Sequence, residues 1–102
     1  MSAPYTVDQL REIIVPIAIR HGVQSVSLFG SYAANRADEH SDIDLKIEKG
    51  KLKSLFDLCG FRLAVEDALH LPVDLVTAQS SDAAFLREIE KEEVLLYRSP
   101  GS

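Results

Sequence analysis

The chain has 102 residues, 46% of them hydrophobic and 26% charged, which fits one globular domain with a thin core and leaves little room for a second. Eleven Lys and Arg against sixteen Asp and Glu give a net charge of −5, which disfavours a broad nucleic-acid footprint. One cysteine, Cys59, excludes an intrachain disulfide and fits a reducing, cytoplasmic setting; no apolar run nears the roughly 18 residues of a membrane helix, and no signal-peptide pattern is expected at the start.

Thr6 and Gln9 stand at capping-box spacing, and Leu10, Ile13, Ile14, Ile17 and Ala18 follow at helical intervals. They predict a helix over Val7–His21, kinked at Pro16 and stopped by Gly22. Val23–Phe29 predicts a strand ending at Gly30, with one or two helical turns over Ser31–Asn35 and a polar loop over Arg36–Ser41. Asp42–Glu48 alternates, with Ile43, Leu45 and Ile47 on one face and Asp42, Asp44, Lys46 and Glu48 on the other, the pattern of a half-buried strand. After a turn at Gly50, Leu52–Leu71 carries Leu55, Leu58, Val65 and Leu69 at helical spacing and predicts a second long helix, ended by Pro72. A short strand over Val73–Thr77, a helix over Asp82–Glu90 and a last strand over Glu93–Tyr97 complete the chain. The expectation is an α/β fold, a small mixed sheet of about four strands flanked by helices, in one domain spanning 1–98 with a disordered tail at 99–102.

Chemistry concentrates in the middle. Gly30 lets a backbone approach a ligand without a Cβ in the way, and Ser31 at a helix start adds a hydroxyl and outward amides suited to phosphate oxygens. Asp42 and Asp44, one residue apart on a strand, leave the same face. Bare carboxylates so placed repel, and a divalent cation removes that penalty. Asp74 sits in an otherwise apolar strand, where an unpaired carboxylate is costly. If that strand lies beside the Asp42 strand, three acids converge and Asp74 can accept a proton from an attacking hydroxyl. Each feature alone has a plainer reading: a capped turn, a solvated strand face, a strand-end aspartate.

Together, Leu28-Phe29-Gly30-Ser31-Tyr32-Ala33, Ser41-Asp42-Ile43-Asp44-Leu45 and Val73-Asp74-Leu75-Val76 resemble the minimal nucleotidyltransferases of the DNA polymerase beta superfamily. The resemblance spans nearly the whole chain. It implies the polymerase beta-like palm fold, ATP with Mg²⁺, and transfer of a nucleotidyl group to a hydroxyl. It further implies that Gly30 and Ser31 contact the triphosphate and that Asp42, Asp44 and Asp74 bind metal. Many short members are antitoxins paired with helical HEPN-type ribonuclease toxins, and some transfer AMP to a toxin tyrosine. The family pattern Gly-Ser-x-Ala-Arg-Gly is broken here, because Ala34 and Asn35 replace Arg-Gly. Arg36 or Lys46 is the expected substitute cation.

Two other readings stand beside this one: an antitoxin that only occludes its toxin, and a small-molecule nucleotidyltransferase. His40, just before the acids, is a candidate to approach a phosphate. Without a cysteine cluster or paired histidines, a zinc site is not expected. Tyr32 and Cys59 read as packing residues, and the lysines at 46, 49, 51 and 53 as a solvated face.

Overall fold

A computed structural model describes residues 4–78 and 82–100. The first helix, α1 (Val7–His21), starts with the expected reciprocal cap: the Gln9 amide donates to Thr6 Oγ1 at 3.1 Å and the Thr6 amide to Gln9 Oε1 at 2.8 Å. It stops where Gly22 turns left-handed at φ 75°. Then come β1 (Ser25–Phe29), the single turn α2 (Gly30–Ala33), β2 (Ile43–Glu48), α3 (Leu55–Leu69), β3 (Val73–Thr77), α4 (Ala83–Glu92) and β4 (Val94–Arg98).

The expected succession of elements holds, with shifted ends. Leu52 is buried in the loop before α3, which begins only where Ser54 accepts a hydrogen bond from the Asp57 amide. Its end comes before Pro72. His70 adopts a left-handed φ of 58° and closes the helix, and Leu71, ahead of proline, is sterically biased out of the helical region. Of the expected tail, residues 101–102 lie outside the described part, and the Ser99 amide donates to the Gln24 carbonyl at 2.7 Å beside the end of β4.

The four strands form one sheet in the order β3-β2-β1-β4. β1 runs antiparallel to both β2 and β4, while β2 and β3 are parallel and joined through α3. Strand alternation divides the sheet into two faces. Val26, Leu28, Ile43, Leu45, Ile47 and Val73 face α1 and α3, where they meet Leu10, Ile14, Ala18, Phe61, Val65 and Leu69 in the core. The opposite face carries Ser25, Ser27 and Phe29 from β1, Asp44, Lys46 and Glu48 from β2, and Asp74 from β3. α4 approaches that second face through Phe85, whose ring lies edge-on to Phe29 at 6.2 Å.

The main core is thus on one side of the sheet, and the α2 end of the other face is left for chemistry. Phe61 is fully buried at its centre. Truncation by Phe61→Ala is expected to cost about 3–5 kcal/mol and to lower Tm by more than about 10 °C, measured by thermal denaturation.

Candidate active site

Three charged positions alternate along the second face of β2, and their fates differ. Glu48 accepts a hydrogen bond from Ser25 Oγ at 2.7 Å and lies 3.4 Å from Arg98 Nη1. Lys46 Nζ pairs with Glu93 Oε2 at 2.7 Å, both side chains mostly shielded from solvent. Asp44, at the end nearest α2, meets other acids instead. It stands opposite Asp74 in the parallel register, and Asp42 precedes it in the loop leading into β2. Burial, then the charges of Asp74 and Asp42, then a hydrogen bond to the Asp74 side chain push the Asp44 carboxyl up to about 6. Neither Lys46 nor Arg36 offsets this.

The phosphate-type turn touches the same carboxylate. Gly30 has φ 74°, and a Cβ built on it would collide with Asp44 Oδ2. Glycine is required there twice, by backbone conformation and by the close approach of the acid. Ser31 follows as the second residue of α2, whose N-cap, Phe29, supplies no side-chain hydrogen bond to the first amides. The Arg36 amide returns to the Ser31 carbonyl at 2.8 Å and closes the turn. Asn35, where the resembling pattern has glycine, is left-handed at φ 57°, a conformation asparagine tolerates. The backbone course survives that replacement, whereas Ala34 removes a charge outright.

Asp42, Asp44, Asp74, Gly30 and Ser31 therefore come together at one end of the sheet. Asp42 is exposed and lies just before β2 rather than within it. Arg36 is also exposed and, among the described residues, makes no ion pair. Lys46 is held by Glu93, a partner that no local signal in the sequence announces. His40 is exposed beside Glu39, and Tyr32 packs into the core with its hydroxyl buried. Among the described residues, no three His, Cys, Asp or Glu side chains surround a point closely enough to cage an ion alone. The donor set is instead an open edge of hard carboxylate oxygens beside a glycine cradle. Those donors fit Mg²⁺, which takes one or two carboxylates and fills its remaining positions with substrate oxygens and water.

Comparison with known proteins gives the family. The family model described as "Polymerase beta, Nucleotidyltransferase" matches residues 12–100, and the chain belongs to that family. A Methanocaldococcus jannaschii protein named "Putative protein adenylyltransferase" is 42% identical over 74 residues, covering 72% of this chain and 80% of its own. The protein adenylyltransferase MntA of Thermococcus cleftensis is 28% identical over 96 residues, covering 90% and 97%. In fold the chain is similar to a toxin–antitoxin structure with AMP-PNP, with a TM-score of 0.76, 21% identity and coverage of 88% of this chain and 74% of that one. It is likewise similar to a structure of a tri-AMPylated Shewanella oneidensis HEPN toxin with an MNT antitoxin, with a TM-score of 0.71, 19% identity and coverage of 92% and 74%.

The cost of crowding three acids is measurable. With a chelator present at pH 7, Asp44→Asn is expected to raise stability by on the order of 1 kcal/mol, the partial exposure of the site having been allowed for. The folded chain resists ionising Asp44, so the gain is full above pH 6, fades as pH falls and is gone below the ordinary carboxyl value of 3.8, where the side chain is protonated folded and unfolded alike. Urea titrations across that range check it. Gly30→Ala is expected to cost about 1–3 kcal/mol through strain and collision with Asp44, read by the same titrations.

Proposed function

We propose that the protein is a Mg²⁺-dependent protein adenylyltransferase that moves AMP from ATP to a tyrosine hydroxyl of a HEPN-type toxin and so neutralises it. The observation that carries this reading is the Asp44 carboxylate, set against Gly30 on one side and facing Asp74 and Asp42 on the other. The reading draws further support from the family, from relatives named as protein adenylyltransferases, and from fold neighbours solved with a HEPN toxin or with AMP-PNP.

Gly30 lets the backbone approach the triphosphate, and the amides and hydroxyl at Ser31 hold its β- and γ-phosphates. Asp42, Asp44 and Asp74 would hold Mg²⁺, which when bound neutralises carboxylate and phosphate charge around the α-phosphorus. Asp74, on the outermost strand, accepts the proton of the attacking hydroxyl. The new bond joins that oxygen to the α-phosphorus, the bond to the β-phosphate bridging oxygen breaks, and pyrophosphate leaves on the Gly30 side. With Lys46 committed to Glu93, Arg36 is the cation that reaches the departing phosphates. No described helix is long and apolar enough to cross a membrane, and the single cysteine fits a reducing cytoplasm.

One observation favours a second reading. Ala34 lacks the family charge and Lys46 is tied up, which describes a weak enzyme that protects mainly by occluding its toxin. Labelled ATP, Mg²⁺ and the HEPN-type partner separate the two. The double variant Asp42→Ala, Asp44→Ala is expected to lose AMP transfer by about 1,000-fold, the scale of lost electrostatic stabilisation, while still binding the partner. If that variant still protects cells fully, occlusion is the function; if wild type transfers no label to a partner it binds, the transferase reading fails.

A further inference from the structure

The transferase reading leaves open how so small a domain receives a bulky acceptor. In-line displacement places the attacking oxygen and the leaving group on opposite sides of the phosphorus. The leaving phosphates belong at Gly30 and Ser31, on the β1 side of Asp44. The attacking hydroxyl must then arrive across Asp74, from the outer edge of the sheet.

At that edge lies a groove of about 350 Å³ between α3 and β3, lined by Leu55, Leu58, Cys59 and Leu75, with Asp74 in its wall. Leu55 is 74% exposed, and its neighbour Phe56 on α3 is 88% exposed. Large side chains so exposed on one helix mark an interaction surface. The groove's one cation, Arg62, lies 3.4 Å from Glu66, so the surface offers little to a phosphate. β3 adds a second feature. Pro72 and Ala78 bond to β2 through their main chains, so the alternate residues Val73, Leu75 and Thr77 point their main-chain groups outward. The Val73 amide is taken by Glu66 Oε2 at 2.8 Å, while Leu75 and Thr77 lie along the open edge beside the groove.

Resting on the transferase reading, we infer that the groove between α3 and β3 is the acceptor seat, holding an apolar polypeptide segment of the partner whose hydroxyl is delivered to Asp74. A polar small molecule finds few hydrogen-bonding side chains there, whereas an apolar segment covers the leucines and reaches the strand edge. The seat is contiguous with the acids through Asp74 and remote from the phosphate turn. Acceptor and nucleotide therefore enter from opposite sides without competing.

The experiment pairs the variant Leu55→Glu, Cys59→Glu with a footprint on wild type. Both substituted side chains are exposed on α3, away from the Gly30–Asp44 contact, so Tm and ATP affinity stay within error and within twofold of wild type. For AMP transfer to the HEPN-type partner, kcat/KM falls by at least about 30-fold, carried by KM, because two charges oppose an apolar surface. Cys59, the sole cysteine, is alkylated by iodoacetamide at least about fivefold more slowly when the partner is saturating. Labelling by the variant within twofold of wild type, or alkylation indifferent to the partner, overturns the seat while the transferase reading stands. A wild-type protein that transfers no AMP overturns the transferase reading and the acceptor role together.

Discussion

Like charge held without compensation organises this molecule. Every other charged side chain on the second face of β2 has an opposite partner: Glu48 has Arg98, and Lys46 has Glu93. At the α2 end, Asp44 meets Asp74 and Asp42, and burial, followed by those two charges, pushes its carboxyl up to about 6. A fold selected for stability alone would place a cation or a hydroxyl there, as it does two residues along the strand. Unrelieved repulsion of this kind clusters at functional sites, and on the reading proposed above a cation would complete the electrostatics.

The remaining architecture makes that tension affordable. The core is built on one face of the sheet, where α1 and α3 meet the buried residues of β1, β2 and β3, so the second face carries little of the packing. Pairing β2 with β3 in parallel places Asp44 and Asp74 side by side, because register aligns them residue for residue. The antiparallel neighbour β1 ends at Phe29, opposite Asp44, so that Gly30 falls where its missing Cβ leaves room for the carboxylate. Two parallel strands and one antiparallel strand thus deliver an acid, an acid and a glycine to one spot.

The replacements around Asn35 separate two roles that the family pattern joins. Asn35 keeps the left-handed backbone that closes α2, and Ala34 gives up the positive charge. Lys46 does not fill the gap, since its ammonium is bound by Glu93 from the far end of α4. Arg36, exposed just beyond the turn, is left as the available cation. On the transferase reading proposed above, positive charge near the phosphates would come from an exposed side chain rather than a fixed one, which lowers preorganisation.

Much of this was legible in the residues themselves. The Thr6–Gln9 cap, the Gly22 stop and the strict alternation from Ile43 to Glu48 are local signals, and local geometry enforces them. Hence the order of elements, the buried face of β2 and the candidacy of Gly30, Ser31, Asp42, Asp44 and Asp74 could be stated from the chain alone. The end of α3 at His70 was less legible, because Pro72 draws attention to itself while the left-handed residue does not. What only the tertiary structure decided is which strands are neighbours: that β3 lies parallel to β2, that Glu93 reaches Lys46, and that Leu55 and Cys59 border Asp74. Those contacts join residues far apart in the chain, and no spacing rule encodes them, since they depend on how the buried faces of distant elements pack together.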